Sequence, residues 1–346
     1  MKAWQIGARG AGGDGLAGLR LSERPDPAAG PGEVLVRVIA AGLNYRDLMV
    51  LRGLYGSDLP EDRVPLSDGV GVVEEVGAGV SNLVPGDRVI APHFLTWTGE
   101  TDYAFAVFAQ DVGVTADGWL AERLVLPAAA VLRVPAEIDD DTAASLAVVG
   151  ATVWHAMVAF GGAARGSLVL TQGTGGVALF ALQLGKALGA TVAITSSSDA
   201  KLERARAMGA DWTVNYRARP DWAAALLEQT GGRGADVVVD TLGFAMLGET
   251  ARATAVNGRI ATVGALSGSP RDTASASQGE IIAKNLTIKG IASGSGSMLE
   301  QALAVVASAG LRMEIARKFA FEEAPAAFRH LDSGQHMGKV LVRVSG

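Results

Sequence analysis

Between Ser167 and Ala265 the chain alternates short β-branched runs with helical stretches, and this alternation limits its fold more than any other feature. SLVLTQ (167–172) reads as a buried strand, GVALFALQLGKALG as a helix, TVAITS (191–196) as a strand and DAKLERARAMG as a helix. ADVVVDTL (235–242) and GRIATVGA (258–265) follow as strands. Strands separated by helices cannot form hairpins, and the crossover each helix provides makes neighbouring strands parallel. The class is therefore α/β.

The turn after the first of these strands has a specific chemistry. Gly173-Thr174-Gly175-Gly176-Val177-Ala178 fits G-x-G-x-x-A between a predicted strand and a predicted helix. A dinucleotide pyrophosphate needs backbone N–H groups at a helix N-terminus, and a glycine there allows the approach. A tight strand–helix turn with no ligand would show the same glycines, in a chain that holds 45 of them; the flanking strand and helix favour the phosphate loop. The second strand ends in Thr195-Ser196-Ser197-Ser198, hydroxyls where a carboxylate would select NAD. Lys201 and Arg204 follow within two turns, Asp199 stands where a helix N-cap is expected, and Tyr216 lies beside the adenosine position. This pattern favours NADPH.

Upstream, strands separated by Gly/Pro turns predict a β-rich domain: EVLVRVIA after Pro31-Gly32, the run 69–77, and Arg88-Val89-Ile90 after Pro85-Gly86-Asp87. GARGAGGDG (7–15) reads as a turn. An Ala-rich helical run opens at Asp139-Asp140-Asp141-Thr142 and continues to about Phe160. Beyond Ile291 the pattern gives one helix, LEQALAVVASAG, and a last strand, GKVLVRV. With 346 residues the prior is about two domains. The absence of cysteine excludes disulfides, Cys-based metal sites and a thiol nucleophile. A net charge of −6 argues against nucleic acid as the partner. No run approaches the roughly 18 apolar residues of a membrane span, and the first residues lack the apolar core of a signal peptide. The expected setting is cytoplasmic, with no membrane partner.

Several segments together resemble the medium-chain dehydrogenase/reductase superfamily, and within it the zinc-independent branch of quinone oxidoreductases and enoyl reductases. They are Gly42-Leu43-Asn44-Tyr45-Arg46-Asp47-Leu48 with Arg52-Gly53-Leu54-Tyr55, Asp68-Gly69-Val70-Gly71-Val72-Val73, Pro85-Gly86-Asp87-Arg88-Val89 and Ala207-Met208-Gly209-Ala210-Asp211. The resemblance implies a GroES-like β-rich catalytic domain, residues 1–147 and 291–346. A Rossmann (doubly wound parallel sheet) cofactor domain, 148–290, is inserted into it, and the protein is expected to be a homodimer or homotetramer.

Zinc-dependent relatives carry a Cys, the His of a G-H-E motif and a third Cys or Asp where this chain has Asn44, Ser67 and Val148, and Asp68 stands at the Glu of that motif. Zinc needs thiolate, imidazole or carboxylate, so no metal is expected. Without a Lewis acid, the accessible hydride chemistry is conjugate reduction of an enone, enoyl thioester or quinone, with hydrogen-bond donors at the developing oxyanion. By resemblance Asn44 is such a donor and also a cofactor contact. Tyr55 is a candidate proton donor, Tyr45 competes with it, and water is the alternative source, since a phenol near 10 is a weak acid; aromatic lining of an apolar pocket is the plainer role for both tyrosines. Arg46 and Asp47 are expected to form a structural ion pair, and His155 to serve packing. His93 is expected to be structural or to touch substrate, and Phe94, Trp97 and Phe105 to wall the substrate. The remaining implied cofactor contacts are Thr152, the loop Gly173 to Val177, Ser196, Ser197, Lys201, Tyr216, Val263, Gly264, Ala265, Leu266, Ser293 and Lys339. A metal-free alcohol dehydrogenase or carbonyl reductase, and a non-catalytic NADPH-binding protein, are the alternatives.

Overall fold

The computed structural model describes residues 1–6, 15–55, 60–99, 103–264, 266 and 278–345. Ala265 and most of the 7–15 turn lie outside the described residues. In chain order the strands are β1 (Lys2–Ile6), β2 (Leu19–Glu23), β3 (Glu33–Leu43), β4 (Asp68–Val76), β5 (Arg88–Ile90), β6 (Arg123–Pro127), β7 (Leu132–Arg133), β8 (Leu168–Gln172), β9 (Thr191–Ser196), β10 (Trp212–Asn215), β11 (Ala235–Asp240), β12 (Thr254–Thr262), β13 (Thr287–Gly290), β14 (Ile315–Ala320) and β15 (Lys339–Arg343). The helices are α1 (Tyr45–Leu51), α2 (Asp140–Ala143), α3 (Ala147–Trp154), α4 (Gly176–Ala187), α5 (Asp199–Ala207), α6 (Trp222–Gln229), α7 (Leu247–Ala253), α8 (Gln278–Ala283), α9 (Gly296–Ser308) and α10 (Ala324–Asp332).

The chain divides into two compact units, Met1–Ala151 with Ser295–Gly346, and Thr152–Gly294. The sequence puts these boundaries at 147/148 and 290/291.

In the first unit the strand order is β14-β15-β3-β4-β5-β7, with β6 also on β3 and a separate β1-β2 pair. Alternation along β3 sends Val34, Val36 and Val38 into a core that Phe328, Val340 and Val342 complete. The glycines of β4 are packing residues: a Cβ at Gly69 would stand 2.3 Å from the ring of Trp119, which is fully buried. The three residues before β4 hold a non-glycine strain, because buried Leu66 has φ +77°.

In the second unit six strands run in the order β10-β9-β8-β11-β12-β13, every adjacent pair parallel. The order reverses between β8 and β11, the point at which open α/β sheets bind ligands beyond their strand C-termini. The apolar interior of β8, β11 and β12 is sealed by Trp222, Leu226 and Ala251 from α6 and α7.

Three expectations need correction. The helical run from Asp139 to Phe160 is broken into α2, α3 and a π-helix, His155–Phe160. The strand predicted over 258–265 runs from Thr254 to Thr262. The C-terminal section holds a second helix, α10, and the strand β14 as well as the predicted pair. The α10 signal was present, since Ala324, Ala327, Phe328 and Leu331 are buried at helical spacing behind a Pro at the first turn. In contrast β14, IARKFA, is a largely exposed edge strand with no alternation to read.

Candidate active site

In the first unit, three elements deliver one buried polar network. Asn44 is the N-cap of α1, Asp68 begins β4 and Lys339 begins β15. Lys339 Nζ donates to Asp68 Oδ2 at 2.7 Å and to Asn44 Oδ1 at 2.8 Å, and Asn44 Nδ2 donates to Asp68 Oδ2 at 2.9 Å. The Val148 backbone N–H donates to Asp68 Oδ1 at 2.6 Å. The network fixes the Asn44 amide, because its reverse orientation would turn an NH2 group toward an ammonium. Asn44 Nδ2 keeps a second N–H beyond this lock. Two of the three Lys339 donors are thus held by Asp68 and Asn44.

A second network lies on the first turn of α1. Arg46 pairs with Asp111, donating at 2.7 and 2.6 Å to its two carboxylate oxygens, and also donates to Ser67 Oγ. The expected Arg46–Asp47 pair is therefore replaced: Asp47 accepts from the Asn44 backbone N–H at 2.7 Å and from Ser67 Oγ at 3.1 Å. Burial pushes the Asp47 and Asp111 carboxyls up to about 6 against the pull of Arg46. Burial alone would lower the Arg46 guanidinium, but Asp111, Tyr55 and Asp47 more than offset it and keep it protonated. The Tyr55 ring stacks 4.8 Å from the Arg46 guanidinium carbon. Tyr45, by contrast, is 48% exposed on the first turn of α1.

His93 is buried with its ring 4.1 Å from that of Phe94, and burial followed by Arg46 holds it neutral. Phe94 and Trp97 are fully buried with Val107 in a small cluster of their own, so two members of the expected substrate wall are core. Phe105 alone of the three is open, at 85% exposure.

In the second unit the Gly173–Val177 loop turns from β8 into α4. Gly173 has φ +81° and Gly175 is the extended N-cap of α4; a Cβ at either would meet no atom of the described residues within 4 Å. Thr174 is buried, and Gly176 and Val177 open the helix. Around the strand C-termini, Thr171 Oγ1, Gln172 Oε1, Thr195 Oγ1, Asp240 Oδ2 and Thr262 Oγ1 are buried without a hydrogen-bond partner among the described residues. Burying so many unpaired polar atoms is costly, so this edge is built for a polar ligand. A dinucleotide fits it.

Ser196 ends β9 and is buried, Ser197 is half-buried, and Tyr216 donates its backbone N–H to the Ser196 carbonyl at 3.0 Å. Ser198, not Asp199, caps α5: it accepts from the Lys201 N–H at 3.4 Å, while Asp199 accepts from Asn215 Nδ2 at 3.0 Å. Val263 donates to the Asp240 carbonyl at 2.8 Å and Leu266 to that of Thr241 at 3.1 Å, so β12 delivers Val263, Gly264 and Leu266 beside the end of β11.

Thr152 and Ser293 also meet, hydroxyl to hydroxyl at 3.2 Å. His155 does more than pack: Lys289 Nζ lies 3.1 Å from its Nε2, so its Nδ1 holds the proton and donates to the Ser293 carbonyl at 2.6 Å. Burial lowers its affinity for a second proton.

Comparison with known proteins gives the arrangement its family. Residues 30–136 match the alcohol dehydrogenase GroES-like domain and residues 176–308 the zinc-binding dehydrogenase family. A zinc-type alcohol dehydrogenase-like protein of Schizosaccharomyces pombe is 37% identical over 320 residues, 91% of each chain. The chain belongs to the medium-chain dehydrogenase/reductase superfamily. An acryloyl-coenzyme A reductase of Sulfurisphaera tokodaii is 29% identical across 94% of this chain and 96% of its own. The solved structure of an NAD-dependent alcohol dehydrogenase superposes with a TM-score of 0.89 at 34% identity, covering 100% of both chains. As a medium-chain dehydrogenase/reductase, the protein is an oxidoreductase with a GroES-like domain and a nicotinamide dinucleotide as cofactor.

The positions at which this family places zinc ligands are filled by other chemistry. Asn44 offers a locked amide, Ser67 a hydroxyl bonded to Arg46 and Asp47, and Val148 a backbone N–H. The buried Lys339 ammonium already supplies the positive charge beside Asp68. This donor set does not fit zinc. Among the described residues no three His, Asp or Glu side chains group as a metal ion requires, and no helix is long and apolar enough to cross a membrane.

Proposed function

We propose that the protein is a zinc-independent, NADPH-dependent reductase of an activated C=C bond, in an enone or enoyl compound, or of a quinone. The observation that carries this reading is the buried Asn44–Asp68–Lys339 lock, an N–H donor oriented by an ammonium where a metal-dependent relative would hold its Lewis acid. Hydrogen-bond donors suffice when charge develops on an enolate or hydroquinone oxygen, whereas alcohol oxidation requires an alkoxide to be stabilised.

The Gly173–Val177 loop and the first turn of α4 would hold the pyrophosphate, with Thr152, Ser293 and the Val263–Leu266 segment toward the nicotinamide. Ser196, Ser197, Lys201 and Tyr216 would take the adenosine end, where hydroxyls and a lysine suit a 2′-phosphate. When bound, the reduced nicotinamide supplies a hydride. The chain's own contribution is to orient the acceptor, donate the second Asn44 N–H to its oxygen and deliver a proton, for which Tyr55 is the candidate. The proposal also includes a cytoplasmic setting, a small-molecule partner and, by the family resemblance, a homodimer or homotetramer.

The test is NADPH oxidation against a quinone, an enone, an enoyl thioester and an aldehyde, with metal analysis of the same preparation. Turnover of a conjugated acceptor by zinc-free protein is expected. Turnover of aldehyde alone would move the reading to a carbonyl reductase, the activity the alcohol dehydrogenase names of its relatives suggest. Turnover of none would favour a binding protein.

A further inference from the structure

Arg46 is placed unusually for a structural cation. Its side chain is 12% exposed and that of its partner Asp111 1%. The two-oxygen grip of Asp111, with the bond to Ser67, fixes the plane of the guanidinium. The guanidinium carbon stands over the half-buried ring of Tyr55, which packs against the core of the same unit. A cation on an aromatic face restricts the ring's rotation as well as attracting it.

The chemistry makes the arrangement useful. Conjugate addition of hydride from a reduced nicotinamide leaves an enolate on the acceptor. Tyr55 O–H then breaks, a C–H bond forms at the carbon next to the carbonyl, and the phenolate left behind is reprotonated by water. A phenol near 10 is a weak acid, and burial pushes Tyr55 higher still; the Arg46 charge works against that. The other charges facing this pair are Asp111 and Asp47, with His93 neutral.

We propose that Arg46 is a positioning residue, anchored by Asp111, which holds the Tyr55 phenol toward one face of the acceptor and takes up the negative charge it acquires on donating its proton. This rests on the reading of the protein as a conjugate reductase with Tyr55 as proton donor. It assigns the Asp111–Arg46–Tyr55 stack to the stereochemistry of protonation.

The experiment reduces an α-methyl enone in D2O and reads the configuration at the α-carbon. The proteins compared are the wild type, Tyr55→Phe, Arg46→Lys, and the double variant Arg46→Gln with Asp111→Asn, which removes both members of the ion pair together. Wild type should give one configuration; Tyr55→Phe and both Arg46 variants should give mixtures approaching equal amounts. In the cofactor-free protein, tyrosinate absorbance at one alkaline pH, taken as the difference from Tyr55→Phe, should show Tyr55 less ionised in the double variant than in wild type. Arg46→Lys serves if the double variant fails to fold, since it keeps the charge but loses the flat fork. Scrambling in Tyr55→Phe with full selectivity in the Arg46 variants would overturn the inference alone. Full selectivity in Tyr55→Phe, or no turnover of any conjugated acceptor by wild type, would overturn the underlying reading and the inference with it.

Discussion

Lys339 and Asp68, 271 residues apart in sequence, form an ion pair of 2.7 Å whose side chains are 2% and 0% exposed. Such a pair is stable only where further hydrogen bonds support it; here Asn44 Oδ1 accepts from the ammonium, and Asn44 Nδ2 and the Val148 N–H donate to the carboxylate. Lys339→Met leaves Asp68 buried beside an apolar chain and frees the Asn44 amide to turn. Chemical denaturation should show a loss of about 3–5 kcal/mol, and turnover should fall. The double variant Lys339→Met with Asp68→Leu should regain part of the stability but none of the turnover. Recovery of both would mean the pair is only structural.

The carboxyls of Asp47 and Asp111 are raised to about 6 by burial, with Arg46 opposing. An unfolded aspartate titrates near 3.9, so between these values the folded chain binds more protons than the unfolded one. Stability from these groups is therefore complete below about pH 4 and is lost as pH rises through about 6. Asp47→Asn keeps an acceptor for the Asn44 N–H but removes one titration. The stability difference between wild type and Asp47→Asn, from urea midpoints at pH 4 and pH 6.5, should change by on the order of 1–3 kcal/mol against the wild type at the higher pH. Parallel pH curves would refute this assignment.

The parts of the molecule legible in the sequence are those governed by local rules. The run TVAITS is strand from Thr191 to Ser196 as read, because a β-branched buried strand needs no distant partner to declare itself. The turn from β8 at Gln172 into α4 at Gly176 was legible for the same reason. What escaped was long-range pairing. Nothing near Lys339 announces Asp68, nothing near Arg46 announces Asp111, and the nearer Asp47 was the natural wrong choice. The break at His155 and the positive φ of Leu66 also depend on tertiary context: His155 is held by Ser293 and Lys289, and the Leu66 carbonyl accepts from Trp119.

Cofactor choice is tested at the end of β9. Ser197→Asp puts a carboxylate where it can bond ribose hydroxyls and repel a 2′-phosphate. Fluorescence titration should show NADPH binding weakened about tenfold or more, an effect of about 1.4 kcal/mol, with NADH binding unchanged or tighter. Lys201→Ala should weaken NADPH and leave NADH alone. A wild type that binds NADH as tightly as NADPH would remove the basis for both expectations.

Gly175 separates the demands of the fold from those of the ligand. Its φ of −80° suits any residue, and an added Cβ meets no atom of the described residues within 4 Å. Gly175→Ala should therefore leave stability unchanged or raise it by about 0.4–1 kcal/mol, through lost freedom of the unfolded chain. The methyl would instead occupy the space through which a pyrophosphate approaches the N-terminus of α4. Dinucleotide affinity should fall at least about tenfold while the melting temperature holds. Gly173→Ala is the contrasting case, because φ +81° strains any side chain by about 1–2 kcal/mol; there stability and binding should fall together. If Gly175→Ala binds the dinucleotide as tightly as wild type, the open space above this glycine is not where the phosphates lie.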